Sequence, residues 1–584
     1  MRKAKAVVAT SMDGVQDNVK DHFRDKYEKL FNSTDDGIEL LRVQQQTEER
    51  VSQKSLEDVL KVTPAIVKEA AKKLKCGKSD PVFSFSSDCI KNGSDILFVE
   101  LSKLLQGFLV HGHVTLILLL ATLVPIIKNK LGSINVSKNY RSIAISSLLL
   151  KIIDWIFLIL FGSSFMLNDF QFAYQEGCST TMCTWVVVET EDYFIRNGSE
   201  VFSCAMDMTA AFDLTLHSLL FSKMFKASFS PIFLRLFIFM YVHQVANVRW
   251  DGEFSTLFTM KNGVRQGAIL SAIAYCFYCE DLFSLLKMRR TGCWVLNTYH
   301  GIVGYSDDNW LLAPSMSALQ DMLRTCEEYA ASHNLKFSTD PDPVKCKTKL
   351  MAFLSKPREL PSLMLCGTLL PWVDKVKHLG NTITNSKDRN QEDTKIKKTQ
   401  YIDKNNSIMQ EFYFAKPETK VQVNKIYNNH FTGSQLWELG SREVQKLEST
   451  FNRSVKIMFD LPWGTHIYFV EPLTGDPHLS RLLVKRYLSF VEKLNTSKKT
   501  PLKTLLSIAK RDVRSITGSN LRRIMILSGR HNIDDLKDVD IPYHPVPPNE
   551  AWRIGFVREL LDQHHGGLEV QTELDFILDY LCTQ

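Results

Sequence analysis

The chain has few of the features that would assign it to a specialised class. Its 12 cysteines are scattered without a framework, and the close pair Cys276 and Cys279 has no matching second pair. A structural zinc site would need four ligands, so reduced, intracellular thiols are expected. No secretory leader is expected, because MRKAKAVVATSMDG has no apolar core. Long uncharged hydrophobic runs are also missing. Val114–Ile127 is short and contains Pro125, while Ser142–Met166 carries Lys151 and Asp154. A spanning helix needs about 18 or more apolar residues, so both stretches are expected as buried core and no membrane partner is expected. There is no internal repeat, low-complexity tract or Cys/His knuckle near either end. With 45% hydrophobic and 23% charged residues over 584, disorder and fibrous repeats are excluded, and about three or four domain-sized pieces are expected.

What is present begins with uneven charge. The whole chain is +7, but residues 371–530 hold 28 Lys and Arg against 15 Asp and Glu, leaving the remainder at −6. A basic lobe of this kind suits a polyanion, nucleic acid first, although a solvated lysine-rich helical surface has the same composition. Residues 1–95 read as a polar, helical amino-terminal extension. There Val67, Ala70, Ala71 and Leu74 mark one apolar face that stops near Gly77. Residues 96–200 read as helix mixed with turns. From 201 the texture changes to short apolar runs ending in acids. Helical patterns resume near 391, giving an expected basic helical region over 385–530 and a small helical region over 531–584.

Two of the acid-ended runs matter most. In VFSCAMDMTAAFD an apolar strand delivers Asp207 at its end, followed by Phe212 and Asp213. In GIVGYSDDNWLL the apolar–acidic–apolar pattern reads as a hairpin with Asp307 and Asp308 at its turn. Such acids are costly to bury without a cation, and three of them could hold two Mg²⁺ about 3.5–4 Å apart. Asp-Asp is also common at plain hairpin tips. Between them, in NGVRQGAILSAIAYCFY, Gly263 and Gly267 bracket Arg265 and Gln266 ahead of an apolar helix. Backbone and amide groups there could approach a nucleotide closely, or simply start a helix.

The order of these three segments, over about a hundred residues, resembles the reverse transcriptases of non-LTR (LINE-like) retrotransposons. LVPIIKNK and NYRSIAISSLLLKIIDW resemble that family's LVPIPKK and NYRPISLTS segments. QFAYQEGCSTT resembles QFGFRxGRST. NLKFSTDPDPVKCKTKLMAF and LPWVDKVKHLGNTIT resemble the lysine-threonine and primer-grip regions. The likeness runs from about 107 to 384. It implies an α+β right-hand polymerase: fingers and a palm with an antiparallel sheet over 96–384, and a helical thumb beyond. The implied activity is RNA-directed DNA synthesis with two Mg²⁺ (or Mn²⁺), an RNA template, a DNA primer and dNTPs.

The resemblance also implies roles. Asp207 and Asp307 would bind both ions, with Asp308 as third carboxylate. Phe212 would block a ribose 2′-hydroxyl, and equally it could serve the core. Arg265, Gln266 and Gly267 would line the nucleotide. Arg141 would grip the triphosphate, with Lys128 a second candidate. Lys347 would protonate departing pyrophosphate, although Lys345 and Lys349 stand close by and any of the three could be a surface lysine. Leu379 and Gly380 would sit near the primer terminus. Trp437 and Trp463 could stack on bases or pack inside the thumb. The sequence departs from the family at Ser142, Gln175, Cys178, Ala210, Ala272 and Ser306; none of these removes a metal-binding acid. The segment before residue 96 is too short for the endonuclease such elements usually carry, and no RNase H-like cluster of acids is seen. An inactive nucleic-acid-binding relic is the alternative, and an RNA-splicing cofactor a more distant one.

Overall fold

A computed structural model describes residues 12–13, 18–34, 36–55, 61–129, 132–265, 267–386, 389–466, 470–530 and 536. Gln266 and the expected helical region 531–584, Leu536 aside, lie outside the described residues. The amino-terminal expectation of helices is met. Val19–Phe31 places Phe23, Tyr27 and Phe31 on one face at four-residue spacing, and all three are buried. Pro64–Lys72 buries Val67, Ala70 and Ala71; its start is capped by Thr63, which accepts the Ile66 N–H.

Residues 96–200, read as helix and turn, contain two strands. Leu120–Ile127 pairs antiparallel with Tyr140–Ile145 and parallel with Val245–Trp250. Pro125 lies beyond the last parallel partner, Leu123 opposite Val248, so its missing N–H leaves that ladder intact. The helix Val19–Phe31 covers this sheet, with Phe23 5.1 Å from Tyr140 and 5.3 Å from Trp250 between ring centroids.

The second sheet has the order Lys349–Phe353, Val201–Met206, Asp308–Ala313, Ile302–Tyr305, every neighbour antiparallel. Its two central strands are almost wholly buried, which accounts for their continuous apolar runs. Each fully buried large apolar side chain contributes about 1.5–3 kcal/mol. That burial fixes the strands whose ends carry the acids. Helices Thr180–Arg196 and Met316–Ser332 pack on this sheet.

Among the described residues, Ile269–Met288 is the one segment long and apolar enough to cross a membrane by length and composition. It consists of two helices, Ile269–Tyr278 and Glu280–Met288, that bury Leu270, Ala274, Tyr275, Leu282 and Phe283 in the core. Neither stretch singled out from the sequence forms such a helix. Val114–Ile127 supplies a strand, and Ser142–Met166 supplies a strand end and the buried helix Leu148–Phe161.

From Arg389 to Ser528 the described regular elements are helical. They dock on the helix Thr180–Arg196: its Arg196 reaches Asp512 at 3.3 Å, and its Trp185 Nε1 donates to Thr517 Oγ1. The architecture is α+β, the expected fold class, with mixed helices and sheets.

Candidate active site

Asp207 follows the last residue of the central strand Val201–Met206, and that strand's Met206 lies opposite Asn309. Asp307 lies in the two-residue turn Ser306–Asp307, and Asp308 closes that turn opposite Tyr305. Ser306 begins that turn with φ +63. The strand register therefore brings the end of one strand beside the tip of a hairpin, and all three acids onto one edge of the sheet.

The electrostatics follow from that placement. Burial first, then its neighbours Asp307 and Asp207, push the Asp308 carboxyl up to about 6, against the pull of Lys347 and Arg141. Asp307 is raised by burial and by Asp207, and opposed by Arg141 and Lys347. Lys128 is lowered by burial and by the neighbouring cations Lys347 and Arg141. Three acids and three bases from separate segments thus act on one another.

Three lysines competed for one role in the sequence, and the structure separates them. Lys347 Nζ is 3.2 Å from Asp207 Oδ2. Lys345 pairs with Asp342, and Lys349 donates to the Pro343 carbonyl. Lys347 is the one the structure brings to the acids.

Oxygen donors of this kind suit a hard divalent cation, and a cation there would offset the burial that raises the Asp307 and Asp308 carboxyls. The residue types and their common edge fit such an ion. Among the described residues, however, no group of three or more His, Cys, Asp or Glu side chains converges closely enough to hold a metal as it stands. The Lys347 ammonium takes a cation's place at Asp207.

The loop after Gly263 is held from behind. Gly267 has φ +111, and a Cβ there would come within 2.8 Å of the Ala144 carbonyl oxygen, so only glycine fits against the neighbouring strand. Asp154, wholly buried, accepts the Ile269 N–H at 3.2 Å and so caps the helix that follows. Burial pushes its carboxyl up to about 6, with the Arg265 guanidinium opposing. Arg265, expected from the sequence to line the nucleotide, is 1% exposed and lies over the Tyr241 ring at 5.5 Å, with its charge acting on Asp154. In the sequence Asp154 is visible only as a charge interrupting an apolar run, and that interruption is the signal for its role. Asn262 was missed: its side-chain amide donates to the Asp213 and Leu30 carbonyls and ties the amino-terminal helix to both motifs.

Phe212 is half-buried and stacks on Tyr275 at 4.6 Å, and its carbonyl accepts the Val264 N–H. It therefore has a packing role beside any contact with a sugar. Arg141 is exposed on the strand Tyr140–Ile145. Leu379 and Gly380, φ +47 and +88, form the two-residue turn between Lys375–His378 and Asn381–Thr384, and Lys397 donates to the Gly380 carbonyl. Trp437 is buried with its Nε1 on Asp393, so it serves packing; Trp463 is exposed beside Arg453.

A groove of about 1530 Å³ runs from Tyr174 to the basic helices. One wall carries Gln175 and Cys178, and the other Lys485, Lys493 and Lys498. Tyr174 follows Ala173, whose N–H shares Gln171 Oε1 with the N–H of Ser306, so that end of the groove lies near the turn that carries Asp307.

Comparisons with known proteins bear on this arrangement. No curated protein matches the chain. Among solved structures it is similar to apo telomerase from Candida tropicalis truncated from its C-terminal domain, at 12% identity over 46% of this chain and 53% of that one, with a TM-score of 0.31. It is also similar to telomerase from Candida albicans in complex with a TWJ fragment of telomeric RNA, at 11% identity over 65% and 63%, with a TM-score of 0.29. The chain thus spans about half the length of the first and under two thirds of the second. Residues 126–383, the stretch holding Lys128, Arg141, all three acids, Lys347 and the Leu379–Gly380 turn, match the family model of reverse transcriptase (RNA-dependent DNA polymerase).

Proposed function

We propose that the chain is an RNA-directed DNA polymerase of the non-LTR retrotransposon type. One observation carries the reading: the strand register sets Asp207, at the end of Val201–Met206, beside the turn that carries Asp307 and Asp308, with Lys347 on Asp207. Asp207 and Asp307 would hold two Mg²⁺ (or Mn²⁺) with support from Asp308, and the bound ions would activate the primer 3′-hydroxyl and neutralise the phosphates. Arg141 and Lys128 bind the triphosphate of the incoming dNTP, and a planar guanidinium suits paired phosphate oxygens. The primer 3′-hydroxyl loses its proton to solvent as its oxygen attacks the α-phosphorus, the bond from that phosphorus to the bridging oxygen breaks, and Lys347 gives a proton to the departing pyrophosphate. Phe212, braced by Tyr275, excludes a 2′-hydroxyl. Gly267, with Gln266, admits the base and sugar, while Arg265 supports the loop from within the core. The Leu379–Gly380 turn meets the primer end. The RNA template and DNA primer occupy the groove beside the basic helices.

A second reading is a nucleic-acid-binding relic of such a polymerase. It is favoured by the ion pair of Lys347 with Asp207 and by the acids not converging as a metal site. Primer extension on poly(rA)/oligo(dT) with Mg²⁺ or Mn²⁺ separates the two. The polymerase reading expects incorporation that disappears in an Asp307→Asn/Asp308→Asn variant. A folded protein that binds the duplex and incorporates nothing would establish the relic.

A further inference from the structure

The segment Asn168–Ala173 is bonded on one side to the Ile302–Asp308 hairpin and on the other to the carboxyl-terminal helices. On the hairpin side, Gly304 N–H donates to the Phe170 carbonyl at 2.9 Å, and Phe172 N–H donates to the Gly304 carbonyl at 2.8 Å. Gly304 leaves no space for more, since a Cβ there would lie 2.6 Å from the Phe283 ring and from Asn309 Oδ1. Gln171 is fully buried, and its Oε1 accepts the N–H of Ser306 at 2.9 Å and of Ala173 at 3.0 Å. Ser306 is the left-handed residue that turns the chain into Asp307. That conformation costs a non-glycine residue on the order of 1 kcal/mol, so it needs such a partner to persist.

On the other side stands Lys499, only 6% exposed. Its Nζ lies 2.9 Å from the Gln171 carbonyl, 3.1 Å from that of Asp169 and 3.2 Å from that of Asn168. The three donors of one ammonium thus go to three carbonyls of the same short segment. The next residue, Thr500, starts the helix Thr500–Ala509 and donates through Oγ1 to Asp169 Oδ2 at 2.6 Å. The buried ammonium has a purpose only where the helix and the segment meet, because a lysine taken from water needs its donors satisfied.

We propose that Lys499 and Gln171 are positioning residues that link the seating of the carboxyl-terminal helices to the geometry of the Ser306–Asp308 turn, so that docking of those helices sets where the acids point. The consequence for turnover rests on the polymerase reading; the physical link does not. Hydrogen–deuterium exchange on the full chain, without metal or nucleotide, tests the link. Lys499→Met is expected to speed exchange about tenfold in peptides covering both 168–173 and 302–308, with Lys499→Arg restoring most of the protection. Faster exchange in 168–173 alone would overturn the proposal. If Lys499→Met does not fold, Thr500→Val, which removes one exposed hydrogen bond, carries the same expectation in weaker form.

Primer extension then reads the consequence. Gln171→Met and Lys499→Met are each expected to lower kcat about tenfold with template–primer Kd within about twofold, and the double variant to fall no further than the worse single. Additive losses, or losses confined to Kd, would also overturn the link. A wild-type chain that incorporates nothing while the exchange result holds would defeat the polymerase reading alone. An active wild type whose hairpin exchange ignores Lys499 would defeat the link alone.

Discussion

At Asp308 the fold accepts instability in exchange for concentrated charge. Its carboxyl titrates near 6 because burial and two neighbouring acids disfavour the anion. The native state therefore holds a proton more tightly than the unfolded chain does. The corresponding stability is fully present below the ordinary value of 3.8 and is lost as the pH rises through about 6. Asp308→Asn is accordingly expected to be more stable than wild type at pH 8 without divalent ions, by on the order of 1 kcal/mol, and no more stable at about pH 4. Urea unfolding at the two pH values decides it, and an equal difference at both would remove the charge explanation. Added Mg²⁺ should narrow the gap at pH 8 by stabilising the wild type. Lys347 invites a second residue-level test. Lys347→Met should lower turnover about 10²-fold, while Lys345→Met and Lys349→Met change it little, because neither of those ammonium groups reaches Asp207. Single-turnover incorporation by the three variants is the measurement.

At the scale of elements, the sequence was legible wherever local pattern and local pairing coincide. The hairpin around Asp307 closes within a few residues, and its alternation of apolar and acidic runs showed it. Leu120–Ile127 was not legible. Its parallel partner Val245–Trp250 lies more than a hundred residues away, and the successive buried residues Ala121, Thr122 and Leu123 break the period of two that would mark a strand. The burial of Arg265 was not legible for a related reason: its neighbours Tyr241 and Asp154 come from two different helices. Nor could sequence reveal which of three lysines faces an acid from another strand. The glycines offer a test at this scale. Gly267→Ala forces a Cβ to within 2.8 Å of a backbone oxygen at φ +111 and should cost about 1–3 kcal/mol, with KM for the nucleotide raised. Gly177→Ala, at φ +75 with open space around it, should cost less and leave KM unchanged. Thermal melts with nucleotide titrations check both, and equal effects would show that the Gly267 loop has no special fit.

For the whole molecule the governing quantity is the separation of charge: +13 over residues 371–530 against −6 elsewhere. The structure places part of that excess, Lys485, Lys493 and Lys498, along the groove that begins beside the acids. A polyanion held there releases counterions, so log K for a template–primer should fall linearly with log salt, by about 0.9 for each phosphate neutralised. Lys493→Glu and Lys498→Glu should each flatten that slope by about 1, and kcat at saturating template–primer should stay unchanged because neither residue reaches the acids. Fluorescence anisotropy from about 50 to 200 mM salt gives the slope. An unchanged slope in both variants would mean that the lysine-rich helices are a solvated surface and that the nucleic acid takes another path across the molecule.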